Sequence, residues 1–354
     1  MPNLDDPKTY QRIDPSGLGG RIKGLPSQCL EAWRTAQAFS LPKDRAPVER
    51  VLVLGMGGSA IGGEILGDLL SLEAAPPVAV HRDYVLPGIL DRRTLIVASS
   101  YSGNTEETLS AFALALRTDA PKLVVTTGGK LKELAIASGV PVFTIDHRSE
   151  PRSAVGYGLF PLMAILQGSG VIADRSRDVE AAIDQMEALA KRLSPETPLQ
   201  ENPAKMLAKK VEDKVAVIYG AGFLSATARR WKTQLNENSK TWAFFELLPE
   251  LDHNSVVGYE FPPKAKGKLA VLLLRSKLLH PRTLLRYDLT SEALAKAGIE
   301  HEIVEGVGPS VLSHVMTTIL MGDFVSYYVA ILNEIDPAPV SVIDHLKKRL
   351  ADAG

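Results

Sequence analysis

The sequence has little of three things that would point to particular classes of protein: cysteine, charge of one sign, and a basic or apolar N-terminus. Its 354 residues contain one cysteine, Cys29, and 40 Lys and Arg residues against 41 Asp and Glu residues. A single cysteine excludes an intrachain disulfide framework and cysteine-rich zinc or iron–sulfur sites. The balanced charge lacks the basic field that a nucleic-acid backbone needs. We therefore expect a cytoplasmic protein that does not bind nucleic acid.

The sequence also shows no recognisable targeting segment or membrane-spanning segment. Residues 1–6 combine neither a basic stretch nor a following apolar run, so no secretory signal is recognisable. The most apolar stretch, residues 315–335, carries Asp323 at its centre. Because a charge at the centre of a membrane span costs about 3 kcal/mol, we predict a buried core helix there and no membrane contact.

Short apolar runs alternate with helical patterns along most of the chain, which is typical of an α/β fold with a mainly parallel sheet. The first half predicts strands at residues 51–54, 77–81, 94–98, 122–126 and 141–145. A long amphipathic stretch and a Pro-rich segment, which we interpret as a linker, follow at residues 175–193 and 194–198. The pattern then restarts, with strands predicted from residue 214 and at 241–246, 269–274 and 301–305. We predict two α/β domains, 1–193 and 194–354, each a mainly parallel sheet flanked by helices in three layers.

A glycine-rich turn, Gly55-Met-Gly-Gly-Ser-Ala-Ile-Gly-Gly63, follows the first predicted strand and opens a helical pattern. Such a turn lets a ligand approach the backbone and presents free helix N–H groups, which favour anions. Three interpretations are open: phosphate binding with Gly58 and Ser59 as candidates, a dinucleotide site, or a turn needed only for strand–helix packing. A dinucleotide site expects an acidic residue at the end of the next strand. His81 and Arg82 stand there instead, which disfavours it.

A second turn carries three hydroxyls, Ser100, Ser102 and Thr105, close to a predicted helix start. We call residues 100–105 the hydroxyl loop. Hydroxyls and free helix N–H groups together can surround the oxygens of a phosphate. One capping residue would suffice to start the helix, so we predict that the hydroxyl loop binds phosphate. It lacks the Gly-Lys-Ser/Thr ending of a nucleotide P-loop, which disfavours a kinase or an ATPase.

From these residues onwards the sequence resembles the sugar isomerase (SIS) family, and within it the bifunctional phosphoglucose/phosphomannose isomerases. The motifs that carry the resemblance run through most of the chain: Ile13-Asp-Pro-Ser16, Gly57-Gly-Ser-Ala-Ile-Gly-Gly63, Ser100-Tyr-Ser-Gly-Asn-Thr105, Pro151-Arg152, Asn236-Glu-Asn-Ser-Lys240, Glu250-Leu-Asp-His-Asn254 and Val342-Ile-Asp-His-Leu-Lys347. The resemblance implies two SIS-type units and an aldose–ketose isomerase. Its substrates would be glucose 6-phosphate and fructose 6-phosphate, with mannose 6-phosphate as a further one, and the reaction would pass through a cis-enediol without a cofactor.

The same resemblance assigns four catalytic candidates. Glu237 matches the base that moves a proton between C1 and C2, and His253 matches the histidine that opens the sugar ring. Arg152 matches the arginine that faces the enediolate, and Lys347 matches a C-terminal lysine that points into the site, with Lys348 as the alternative. The resemblance also implies a homodimer in which His253 reaches the site of the neighbouring subunit.

Residue chemistry permits these roles but leaves other interpretations open. Burial can raise the pKa of a glutamate from about 4.3 towards neutrality, where a general base works best. Without the resemblance, Glu237 is an ordinary exposed helical residue and Arg152 a basic residue that enters a helix. The histidines are scattered without the close spacings of a metal motif, so we predict no metal.

Two other functions stay open. A phosphosugar-binding regulatory protein would keep the hydroxyl loop but would not need Glu237, His253 and Arg152 together. The other is an amino-sugar phosphate isomerase. The chain has no amidotransferase-like N-terminal cysteine, which disfavours only the glutamine-using version.

Overall fold

Two parallel sheets, one from each half of the chain, form the framework of the computed structural model, which describes residues 2–42, 46–88 and 90–353. The first sheet contains β1 (Arg50–Leu54), β2 (Val78–His81), β3 (Thr94–Ser99), β4 (Lys122–Thr126) and β5 (Val142–Thr144). The second contains β6 (Val215–Ala221), β7 (Ala243–Leu248), β8 (Leu269–Arg275) and β9 (His301–Glu305). Within the described residues the strand orders are β2-β1-β3-β4-β5 and β7-β6-β8-β9, and the pairs are parallel. The predicted fold class is confirmed.

Helices connect and flank the strands. Those of the first half are α1 (Pro7–Ile13), α2 (Leu18–Lys23), α3 (Leu25–Gln37), α4 (Gly57–Leu70), α5 (Glu106–Ala115), α6 (Gly129–Ala137), α7 (Val155–Gly168) and α8 (Ser176–Leu193). Those of the second half are α9 (Pro203–Val211), α10 (Ser225–Asn238), α11 (Pro281–Ala297), α12 (Val311–Leu332) and α13 (Ser341–Asp352).

The first sheet is covered on both faces, because successive side chains of a strand point to opposite sides. Val51 and Val53 of β1 belong to a core shared with α3, α4 and α7. Leu52 and Leu54 belong to a second core, shared with α5 and α6. This alternation gives the predicted three layers. Because β1 and β3 pair in parallel, their carboxyl ends lie at one edge.

The apolar stretch with a central charge is a core helix, as predicted. α12 is the one helix in the described part of the chain with the length and apolarity that crossing a membrane requires, and 94% of its apolar window is buried within the protein. Asp323 is buried inside it and accepts a hydrogen bond at 2.6 Å from Nη2 of Arg230 on α10. The charge is thus paired within the protein interior.

The Pro-rich segment at residues 194–198 is not a loose linker. The ammonium group of Lys205, a fully buried residue of α9, donates to the carbonyl oxygens of Pro195 at 2.9 Å and Thr197 at 2.8 Å. It also donates to the carbonyl oxygen of Leu4 at 2.6 Å, which ties the segment to the N-terminus. A buried ammonium group needs such acceptors, so the segment is held firmly in place, and its role as a linker stays a prediction. The domain boundary after residue 193 stays a prediction.

Candidate active site

The glycine-rich turn and the hydroxyl loop, both candidates for binding phosphate, meet at the carboxyl ends of β1 and β3. These strands pair directly, while the chain runs from β1 first to β2 on its other side. In parallel α/β sheets, ligands bind at such a switch in strand order. Gly57 has φ +49°, a conformation that favours glycine, and a Cβ on Gly58 would lie 2.7 Å from the carbonyl oxygen of Pro151. Both glycines are therefore required by the local geometry.

Ser59 connects the first turn to the hydroxyl loop. Its hydroxyl oxygen accepts a hydrogen bond from the backbone N–H of Tyr101 at 2.9 Å, and its carbonyl oxygen accepts one from the Ser99 hydroxyl at 3.0 Å. The Tyr101 hydroxyl then donates to the carbonyl oxygen of His147 at 2.6 Å and accepts from the N–H of Ser149 at 3.0 Å. The residues before Arg152 are thus tied to the hydroxyl loop.

The hydroxyl loop keeps donors free for an anion. The buried Ser100 hydroxyl donates to the Thr105 hydroxyl oxygen at 3.0 Å, and the Ser102 hydroxyl accepts from the N–H of Asn104 at 3.2 Å. Thr105 occupies the N-cap of α5, but its side chain accepts no capping hydrogen bond from the first turn. Capping therefore does not account for the hydroxyls, and the protons of Ser102 and Thr105 are available to a bound anion.

Arg152 is buried, with 4% of its surface exposed, at the start of the helical turn Pro151–Ser153. Its Nε donates to Oδ1 of Asn238 at 2.7 Å. Its Nη2 donates to the carbonyl oxygens of Pro337 at 2.9 Å and Ala338 at 2.6 Å. A guanidinium has five N–H donors, so these three bonds leave the two on Nη1, which lies 3.9 Å from Oε2 of Glu237. The fixed group therefore turns one nitrogen towards the carboxylate.

Glu237 lies near the C-terminal end of α10, where burial raises the pKa of its carboxyl group. The positive charges of Arg152, Arg230 and Lys347 oppose this shift. A glutamate with a raised pKa is suited to accept a proton near neutral pH. The geometry thus provides a partly desolvated base beside a fixed cation.

A cavity of about 130 Å³ lies between the first glycine turn, Arg152 and Glu237. Gly58, Arg152 and Glu237 line it together with Arg230. Its remaining lining residues include further cations from both halves of the chain: Arg82, Arg229 and Lys232. The cavity therefore joins the first glycine turn to the predicted base and the predicted arginine in a positively charged environment.

His253 and Lys347 do not line this cavity. His253 is exposed in the turn Glu250–His253 that follows β7. Lys347 is exposed on α13, although its charge acts on Glu237. Within the 2–42, 46–88 and 90–353 ranges, no group of three or more His, Cys, Asp or Glu side chains is placed to hold a metal ion.

Sequence reasoning missed the groups that hold Arg152 in place. Asn238 lies inside one of the motifs that carry the resemblance. The sequence therefore marked its position, but it did not predict that Asn238 holds Arg152. No sequence signal marked the carbonyl oxygens of Pro337 and Ala338, because any residue provides a backbone carbonyl. Lys240, with φ +55°, donates to the carbonyl oxygens of Glu237 and Pro337 at 3.0 and 3.2 Å and was also missed.

Comparisons with known proteins agree on the family. Residues 200–350 match the model of the bacterial phospho-glucose isomerase C-terminal SIS domain. A bifunctional phosphoglucose/phosphomannose isomerase of Caldicellulosiruptor bescii is 39% identical over 94% of this chain and 98% of its own. One from Aquifex aeolicus is 33% identical over 88% and 93%. A glucose-6-phosphate isomerase like protein from Thermus thermophilus has a similar fold, with a TM-score of 0.66 at 19% identity over 97% and 99%.

The two relatives match 94% and 88% of this chain at more than 30% identity, so each match includes residues of both halves. The structure places the first glycine turn, the arginine and the glutamate around one cavity, and the hydroxyl loop follows β3, which pairs with the strand before that turn. The chain belongs to the bifunctional phosphoglucose/phosphomannose isomerase family.

Proposed function

We propose that this enzyme interconverts glucose 6-phosphate, mannose 6-phosphate and fructose 6-phosphate through a cis-enediol. The relatives at 39% and 33% identity carry the corresponding name. The observation that carries the proposal is the pair formed by Glu237 and Arg152, whose Oε2 and Nη1 atoms lie 3.9 Å apart on the cavity wall. Isomerisation needs a base and a positive group that stabilises the enediolate, and this pair supplies both.

The substrate phosphate binds at the two turns, on Gly58, Ser59, Ser100, Ser102 and Thr105. Backbone N–H groups at the starts of α4 and α5 and the free protons of Ser102 and Thr105 donate to its oxygens. Ser59 and Ser100 contribute by shaping the loop, since their hydroxyls hold Tyr101 and Thr105. This anchor leaves the sugar carbons to extend towards Glu237.

The proton transfer itself uses Glu237 and Arg152. The ionised carboxylate of Glu237 removes the proton from C2 of the aldose or C1 of the ketose and returns it to the other carbon. Negative charge then develops on the enediolate oxygen. The Nη1 protons of Arg152 stabilise that charge, because the other three N–H groups already hold the guanidinium in place.

Ring opening is assigned to His253, reached across a homodimer interface. Apolar side chains are also exposed in the segment that follows the turn carrying it, with Val257 and Phe261 exposed by 80% and 77%. α13 contributes no buried residue and exposes Val342 and three further apolar side chains: Ile343, Leu346 and Leu350. A second copy that covers these surfaces would remove them from water and bring His253 to the neighbouring cavity.

Mixing two impaired variants tests this composite site. Glu237→Gln and His253→Ala dimers are each expected to have strongly reduced activity. In an exchanged mixture, half of the dimers carry one intact site, so activity should return to about a quarter of the wild-type value. Steady-state assays before and after subunit exchange measure this. If native mass spectrometry shows mixed dimers without recovered activity, His253 does not act across the interface.

Lys347 is proposed to influence the base from α13. Its positive charge lowers the pKa of Glu237 against the effect of burial. Lys347→Ala should therefore move the acid limb of the kcat/KM profile to higher pH, and added salt should weaken the effect because the residue is exposed. Lys348→Ala is the matched control. A larger shift in that control would transfer the role to Lys348.

A coupled assay and an equilibrium binding measurement with each hexose 6-phosphate test the function. Interconversion in D₂O should place deuterium on C1 or C2 of the product, as proton exchange through an enediol requires. Binding without interconversion would instead indicate a regulatory phosphosugar-binding protein. Turnover of amino-sugar phosphates alone would indicate an amino-sugar phosphate isomerase. The cytoplasmic location remains part of the proposal, supported by the free, buried thiol of Cys29.

A further inference from the structure

We propose that Ser326, on α12, is a positioning residue for the isomerase reaction, acting through Asn238 to hold Arg152 in its working orientation. The inference rests on the proposed function of Arg152. Ser326 lies outside the cavity lining, is fully buried and touches no atom that would react. Its influence must therefore pass through the side chains that connect it to the guanidinium.

The connection is a short chain of buried hydrogen bonds. The Ser326 hydroxyl donates to the backbone carbonyl oxygen of Asp323 at 2.8 Å. Nδ2 of Asn238 donates to the Ser326 hydroxyl oxygen at 2.9 Å, and Oδ1 of Asn238 accepts from Nε of Arg152 at 2.7 Å. Ser326, Asn238 and Arg152 are exposed by 0%, 1% and 4%, so water does not compete for these bonds.

The hydroxyl of Ser326 and the Nε–H of Arg152 both require the same orientation of the Asn238 amide. A serine hydroxyl has one proton, and here that proton goes to the carbonyl oxygen of Asp323. Its oxygen can then only accept, so it pairs with the amide NH₂ group of Asn238. The amide oxygen is consequently turned to the Nε–H of Arg152. The orientation follows from the hydrogen-bond network, as it does for any amide.

Loss of the Ser326 hydroxyl would leave the buried Nδ2 of Asn238 without this acceptor. The amide would then tilt towards another acceptor, which lengthens or breaks the bond that it accepts from Nε of Arg152. The guanidinium would lose one of its three fixed bonds. Nη1 would be held less firmly at the place where enediolate charge develops, which affects the transition state more than substrate binding.

The same part of α12 also holds the backbone of Arg152. The carboxylate of Asp323 accepts from Nη2 of Arg230 at 2.6 Å and from Nε2 of Gln234 at 3.0 Å. Nη2 of Arg230 also donates to the carbonyl oxygen of Arg152 at 3.1 Å. The one charge inside this apolar helix therefore helps to place the backbone of Arg152, while Ser326 orients its side chain.

Ser326→Ala in the full-length enzyme is the primary test, with Ser313→Ala as its matched control. Ser313 is also a fully buried serine of α12 whose hydroxyl is hydrogen-bonded, to Ser310, but it lies 13 residues away, about 20 Å along the helix. We expect Ser326→Ala to lower kcat about tenfold with KM within about twofold of wild type. Ser313→Ala should keep the wild-type kcat. Ser326→Cys, which fills similar space with a weak hydrogen-bonding group, should repeat the loss and replaces Ser326→Ala if that variant does not fold.

A double variant tests whether the effect passes through Arg152. Lysine has no counterpart of the Nε–H donor, so Ser326→Ala should lower kcat no further in an Arg152→Lys background. An equal loss in both backgrounds, or wild-type kcat in both Ser326 variants, would overturn the proposal.

The Arg152 Nε–H resonance gives a readout that does not depend on turnover. It can be assigned by its absence from Arg152→Lys. It should be protected from solvent exchange in wild type and in Ser313→Ala and lose protection in Ser326→Ala. If the wild-type protein fails to isomerise hexose 6-phosphates, the proposed function fails while this signal still tests the orientation. Unchanged protection in Ser326→Ala would overturn the positioning role whatever the activity.

Discussion

Glu237→Gln is expected to lower kcat by roughly 10²–10⁴-fold, the contribution typical of a positioned general base. The amide has nearly the same shape as the carboxylate but cannot take a proton from carbon. In the proposed site the phosphate is bound elsewhere, at the first glycine turn and the hydroxyl loop, so KM for fructose 6-phosphate should change little. Glu292→Gln, an exposed glutamate of α11, is the control. Full turnover by Glu237→Gln would remove Glu237 from its assigned role.

The pH profile tests the same assignment. A protonated Glu237 cannot act as a base, so kcat/KM should fall as the pH drops through its pKa. Burial raises that pKa, and the acid limb should therefore lie at higher pH than for an exposed glutamate. Loss of this limb in the residual activity of Glu237→Gln is the expected outcome. An unchanged limb would assign it to another group.

Arg152→Lys is expected to lower kcat by roughly 10²–10³-fold, the effect of losing one fixed donor at a developing oxyanion. Lysine keeps the charge but lacks the planar fork that binds Asn238, Pro337 and Ala338 at once. The remaining charge would be held less rigidly beside Glu237. Steady-state kinetics together with thermal unfolding separate this loss from a general loss of stability.

Arg148→Lys is the matched control for that prediction. Arg148 precedes Arg152 by four residues and is exposed. From sequence alone it is the arginine most easily confused with Arg152. Wild-type kinetics are expected for the control, and a loss as large as that of Arg152→Lys would contradict the assignment.

Much of the fold was predictable because burial leaves a periodic trace in the sequence. β4 and β9 have the predicted bounds, and the other strands differ by no more than two residues at either end. The sequence did not predict how residues 194–198 are held. The buried ammonium group of Lys205 binds backbone carbonyl oxygens of this segment, and backbone atoms leave no mark in the sequence.

The candidate site was predictable to a different degree in each part. The hydroxyl loop was predictable from three hydroxyls at a helix start. The structure adds that the Thr105 side chain makes no capping hydrogen bond. Arg152 and Glu237 came from the resemblance, and the cavity brings them together. The groups that fix Arg152 were not predictable, because the Pro337 carbonyl lies 185 residues further along the chain. His253 stays a prediction.

The hydrogen bonds of Arg152 also bear on when the folding chain becomes active. The arginine follows the first sheet in sequence, yet the three acceptors of its guanidinium all come after residue 237. A nascent chain with only its first sheet formed can therefore have the hydroxyl loop in place while the side chain of Arg152 is not yet oriented. If Arg152 has the proposed role, catalytic competence requires the last third of the polypeptide to fold against the first. We therefore expect neither half of the chain to isomerise hexose 6-phosphates by itself.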